Sequence, residues 1–232
     1  MLFACAALAG CLVFVALGVW QVERLGWKRD LIARVDARVQ APPMDAPRAE
    51  RFDPAEHEYR RARLQGRFLN DRETLVQANT RLGGGYWVLT PFVVDDGLTV
   101  LVNRGFVDTS RREARDWTRV DGPASVSGLL RASEPGGGFL RDNQPGDDRW
   151  YSRDVAAIAR ARGLGNIAPY FVDADALGPA DPGAPTGGLT VVRFRDNHLQ
   201  YALTWFALAG LLAVGAIRVY RQERSIAQPA RE

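Results

Sequence analysis

Two long apolar runs bracket the chain, and between them apolar and polar positions alternate in short stretches. Leu2 to Trp20 and Leu199 to Ile217 each run nineteen residues without a charge. At a rise of about 1.5 Å per residue such a run reaches roughly 28 Å, close to the thickness of a hydrocarbon core. Both therefore predict transmembrane helices, over 2–20 and 198–217. Past Trp20 the pattern turns amphipathic, with Trp27, Leu31, Val35 and Val39 recurring every four residues among Arg29, Asp30, Arg34, Asp36 and Arg38. This predicts a juxtamembrane helix over 21–40 that Pro42 and Pro43 stop.

Proline, alanine and charge dominate Ala41 to Asp53, so residues 41–58 read as a linker. From Tyr59 the period shortens to that of strands, over Tyr59 to Phe68, Glu73 to Ala78, Tyr86 to Val94, Leu98 to Val107 and Ala124 to Arg131. Turn clusters separate them, and Asp96-Gly97 within "VVDDGLTVLV" marks a hairpin. Asp154 is placed to cap a short helix, Val155 to Arg162, which Gly163 closes. Tyr170 to Asp173 and Leu189 to Phe194 complete the strands, the last leading into the second span. The expected fold is a membrane protein: two transmembrane helices enclose an α+β domain over 59–197 with a mostly antiparallel, barrel-like sheet. A short tail, 218–232, follows the second span.

Composition adds limits. Hydrophobic content of 47% and charged content of 25% fit one folded domain on few spans, neither a disordered chain nor a polytopic transporter. Arg111, Arg112, Arg115 and Arg119 interleave with Glu113, Asp116 and Asp121, and the net charge is only +3, which describes a solvated loop and no nucleic-acid partner. Two spans place both ends of the chain on one side. Arg218, Arg221 and Arg224 directly after the second span assign that side to the cytoplasm and the domain to the outside, against the competing pull of Arg24, Lys28 and Arg29. No basic residue precedes the first run, which suits a retained anchor better than a cleaved signal and leaves room for residues upstream. "LAGC" at Leu8 to Cys11 lacks the polar tether that should follow a lipoprotein box.

Chemistry is sparse. Cys5 and Cys11, six positions apart on a helix, point about 120° away from each other and cannot share a disulfide or a metal. The glycine-rich pieces at Gly83 to Tyr86 and Gly136 to Gly138 lack the strand-and-helix setting of a phosphate cradle and read as turns. No catalytic constellation appears, so the chain is expected not to be an enzyme. The exception is the head of the second span. Stepping by three, four and seven from His198 gives Tyr201, Ala202, Trp205, Ala209, Leu212 and Ala216 on one face. Such a face suits either close packing on another membrane helix or the wall of a cofactor site.

Several segments resemble one known family: "GVWQVERLGWKRDLI", "GGGYWVLTPF", "VLVNRGFV", "FLRDNQPGDDRWYSRD" and above all "DNHLQYALTWFALA". In order and over nearly the whole chain they resemble the surfeit locus protein 1 family, which assists assembly of cytochrome c oxidase in the respiratory chain. The resemblance implies two anchors in the inner membrane, both termini cytoplasmic, a periplasmic domain, and a role in placing haem a into the haem-bearing oxidase subunit. Haem a synthase is a further implied partner, and a haem-free scaffold for an oxidase intermediate is the alternative function. The implied iron ligand is His198, with Tyr201 and Trp205 flanking the macrocycle, the alanine column making room for it, and Arg193 or Arg195 meeting its propionates. Asp196 is the nearest acceptor in sequence for the second ring nitrogen of His198. Two departures stand out: Phe106 replaces an expected tryptophan, and Asp196-Asn197 precede the histidine where two asparagines are frequent.

Overall fold

In the computed structural model, residues 2–138, 140–175, 181–190 and 196–226 are described, and the chain divides into two units: Met1–Arg34 with Arg193–Glu232, and Val35–Val192. The first element is the helix α1 (Leu2–Gln40), which ends just before Pro42-Pro43. The segment expected to be a linker is folded instead. It supplies strand β1 (Met44–Asp45), which pairs in parallel with Ala62 and Arg63, and a short helix α2 (Pro54–His57) capped by the Asp53 carboxylate. Ala46, Ala49 and Phe52 lie on the core, where isolated apolar side chains among prolines and charges have no period for a pattern to reveal.

Strands β2 (Arg61–Phe68), β3 (Thr74–Thr80), β4 (Gly83–Val94), β5 (Thr99–Asp108), β6 (Pro123–Ala132) and β7 (Ile167–Ala174) complete one sheet in the order β1-β2-β6-β7-β5-β4-β3. An additional β2–β4 pairing closes it into a barrel. One edge of β2 is split to allow this: its first residues take β1, and Gly66 to Phe68 take Val94 to Phe92 of β4. The closure needs glycine, because a Cβ on Gly66 would stand 2.0 Å from the Val93 carbonyl oxygen. All pairings are antiparallel except β1–β2 and β5–β7. The expected hairpin joins β4 to β5, with Gly97 at φ +87 and the Asp96 carboxylate accepting from the Leu98 N–H at 3.1 Å.

Alternation along β2 turns Ala62, Leu64 and Phe68 inward while its arginines stay outside. With Phe92, Val100, Val102, Val126, Leu130 and Val172 they fill the barrel. Strand β5 is buried on both faces, since Leu101 on its outer side meets Trp150, Val155, Ile158 and Phe171. Val155 and Ile158 come from α3 (Val155–Arg162), which Asp154 caps and Gly163 ends at φ +60, as the sequence predicts. Of the expected strand over 189–194, residues 189 and 190 form none and the remainder lies outside the described residues.

The helical unit pairs α1 with α4 (His198–Ile226). These are the two helices, among the described residues, that are long and apolar enough to cross a membrane. Among the buried or half-buried positions, Ala7, Cys11, Phe14, Gly18, Gln21, Leu25 and Lys28 of α1 step alternately by four and three, and so do His198, Ala202, Trp205, Ala209, Leu212 and Ala216 of α4. This is the seam of two helices that wind around each other. Contacts run in opposite directions, so the helices are antiparallel: a Cβ on Gly10 would meet Leu212, Cys11 Sγ lies 3.6 Å from the Ala209 carbonyl, and the Phe14 ring stacks on Trp205 at 5.7 Å. Lipid tails are as apolar as leucine, so close approach through small residues is what holds such a pair together.

Candidate functional site

His198 opens α4, and the side chains around it are positioned by both helices of the unit. The Asp196 carboxylate accepts the His198 backbone N–H at 3.2 Å, satisfying a first-turn donor that has no partner within the helix. Asp196 thus caps the helix and is not the partner of the ring. That partner is Gln21, 177 positions earlier in the chain, whose Oε1 lies 2.7 Å from Nδ1. An amide oxygen only accepts, so Nδ1 is the donor in this pair, and in the neutral form of the ring Nε2 then keeps its lone pair. Among the described residues Nε2 has no hydrogen-bond partner.

The other expected site residues separate. Trp205 sits on the seam, half-buried against Phe14. Tyr201 is 53% exposed and lies off it. Arg193 and Arg195 lie outside the described residues. The alanine column is covered by α1, with Ala202 2% and Ala209 8% exposed, so the face predicted either for a helix or for a cofactor holds a helix. A column of small side chains admits any flat or ridged apolar surface, and the first span supplies one. The imidazole accordingly fits an iron ligand, while the seam behind it has no opening for a macrocycle. One and two turns past Gln21, Arg24 stacks over Trp27 at 4.6 Å and Lys28 holds a half-buried seam position, two cations that the sequence reading did not connect with His198.

The barrel domain carries two further polar clusters, both built from buried ions. Glu73, 3% exposed, accepts from Thr90 Oγ1 at 3.1 Å, Arg104 at 3.1 Å and Trp117 Nε1 at 3.2 Å, and Arg104 also donates to the Thr118 carbonyl at 2.6 Å. Burial pulls the Arg104 guanidinium below its usual range, opposed by the Glu73 charge. Asp173 accepts from Asn103 at 2.7 Å and from Arg131 and Arg153 at 3.0 Å each. Burial works against the Arg153 charge too, but Asp173 and Glu134 outweigh it and raise its pKa. In both clusters the carboxylate is saturated by donors, which suits cross-bracing of strands.

A sequence model of the SURF1 family matches residues 8–210. The chain belongs to the SURF1 family. It is thus related to the assembly factors of cytochrome c oxidase. It is 37% identical over 210 residues to Surfeit locus protein 1 of Mus musculus, an alignment covering 83% of this chain and 67% of that protein. The Homo sapiens Surfeit locus protein 1 is 36% identical over 212 residues, covering 83% and 69%. The SURF1-like protein of Drosophila melanogaster is 33% identical over 228 residues, covering 89% and 72%.

The SURF1-like segments of the chain fall into two groups in the structure. "VLVNRGFV" is the inner part of β5 and contributes Asn103 and Arg104 to the two ionic clusters. Phe106, where a tryptophan was expected, packs edge-on to Trp87 at 6.0 Å and would touch any side chain at Gly85. In "FLRDNQPGDDRWYSRD", Asn143 Oδ1 accepts from the Tyr151 and Ser152 N–H groups, and Trp150 is buried with its Nε1 donating to Asp148 at 2.8 Å. These segments build the domain. The two around Gln21 and His198 meet each other and share a side-chain hydrogen bond across the helical seam.

Proposed function

We propose that this SURF1-family chain is an assembly factor of cytochrome c oxidase that takes up haem a at the head of α4 and assists its insertion into the haem-bearing oxidase subunit. The observation that carries the reading is the His198 ring, with Nδ1 held by Gln21 and the Nε2 lone pair left over. Haem, when bound, would supply an iron that an imidazole nitrogen can hold. Nε2 is the donor for it; Arg24 and Lys28, with Arg193 and Arg195, supply positive charge for the propionates. Neither 5–40 nor 198–223 contains a methionine, so the hold rests on the imidazole and suits a carrier that must let go. Haem a synthase is the proposed donor.

The basic residues Arg218, Arg221 and Arg224 support cytoplasmic termini and a periplasmic domain at the inner membrane. Within this reading the chain is a haem chaperone and not a catalyst. The closed seam favours a second reading, a haem-free scaffold that steadies an oxidase intermediate, because Ala202 and Ala209 have no free face. Production beside haem a synthesis separates the two. The carrier reading expects a haem chromophore in the purified chain that His198→Ala removes; the scaffold reading expects none in either protein.

A further inference from the structure

We infer that Gln21 is a positioning residue for His198: its side-chain oxygen selects the imidazole tautomer with the proton on Nδ1, and so presents an unprotonated Nε2. The inference rests on the haem reading for the identity of the ligand, and on the helix pair alone for the tautomer. Gln21 is the polar member of an otherwise apolar stretch of seam, only 9% exposed, between Gly18 and Leu25. Among the described residues its side-chain partner is His198 Nδ1, at 2.7 Å. With the residue 9% exposed, leaving its amide oxygen unpaired is costly.

The chemistry of the two partners fixes the outcome. A neutral imidazole carries one proton, and which nitrogen holds it is decided by the hydrogen bond the other end must make. An acceptor at Nδ1 forces the proton there. The same bond fixes the ring about its long axis, because one edge is tied to α1 while the backbone is tied by Asp196. Glutamine meets the requirement without adding a charge to an apolar seam, and an asparagine side chain is one methylene shorter. Partners that orient a ligating histidine in this way commonly change metal affinity about 10- to 100-fold when removed.

The test uses the full chain in nanodiscs with ¹⁵N-labelled histidine. The chain has two histidines, so His57→Gln leaves His198 as the sole signal. In the ligand-free protein the ring is expected with Nδ1 protonated and Nε2 bare. Gln21→Met should shift the ring toward the Nε2-protonated form and weaken haem a binding about 10- to 100-fold; Gln21→Glu, which keeps an acceptor at the same reach, should restore both. A wild-type ring protonated on Nε2 overturns the inference even if no variant folds. So does a Gln21→Met protein whose tautomer is unchanged. If His198→Ala binds haem undiminished while the tautomer still follows Gln21, ligation fails and the tautomer assignment stands.

Discussion

Buried polar side chains occur in the barrel and in the helical pair, and they are held in opposite ways. In the barrel, Glu73 and Asp173 each accept from three side chains, all on strands or on loops clamped to them. In the helical pair, Gln21 and His198 share one hydrogen bond and a ring nitrogen is left over. Saturation makes a network rigid and chemically silent, whereas a held ring with a spare lone pair is rigid and still able to bind. Within one chain, the same device of burying polarity saturates the buried carboxylates Glu73 and Asp173 in one unit and leaves a ring nitrogen over in the other.

The largest effect should come from breaking saturation in the barrel. Glu73→Ala leaves the Arg104 charge buried without its partner, and a loss of about 3–5 kcal/mol is expected in denaturant unfolding. Replacing both, Glu73→Leu with Arg104→Met, should recover most of that; equal losses in the single and double variants would show that the pair is not the cause. Next is Gly105→Glu. Gly105 has φ +135, and a Cβ there would lie 2.5 Å from the Thr186 carbonyl oxygen, inside the bridge between Phe106 and Thr186. A cost of about 3 kcal/mol is expected, seen as a lower melting temperature.

A perturbation of the seam should be smaller and should leave the barrel alone. A Cβ on Gly18 would meet the Phe206 ring at 2.5 Å, so Gly18→Leu should loosen the pair by about 1–2 kcal/mol. Crosslinking between cysteines placed at 14 and 205, in a chain without its native thiols, should fall while the barrel melts as before. The smallest effect concerns Tyr170, whose hydroxyl donates to the Pro47 carbonyl at 2.6 Å and whose pKa burial raises. Its contribution is full below the unfolded value of about 10 and is lost as pH climbs through the raised folded value. Tyr170→Phe should cost about 1 kcal/mol at neutral pH and remove that alkaline slope.

The same contrast explains what could be read from the sequence. Local signals were legible: the Asp96-Gly97 hairpin, the Asp154 cap with its Gly163 stop, and the seven-residue spacing of Ala202 and Ala209. Pairings between distant residues were not. Nothing local in "RFDPAEH" shows that Phe52 packs against the Tyr170 ring at 4.6 Å, or that β2 divides its edge between β1 and β4. The helical face of His198 was correctly drawn except for Tyr201, but its cover was invisible because α1 lies at the other end of the chain. Gln21 did leave a trace. It is a polar residue seven positions from Phe14 and from Lys28, on the stripe that α1 buries, and polarity on such a stripe asks for a partner.

The central claim is that the head of α4 binds haem through Nε2 of His198, and removing and returning the imidazole tests it most directly. His198→Gly, produced beside haem a synthesis and purified in detergent, should lose the haem absorption. Added imidazole should bring back haem binding with a spectrum close to that of the unaltered chain. A His198→Gly protein that keeps its full haem complement and an unchanged spectrum without imidazole would contradict the claim.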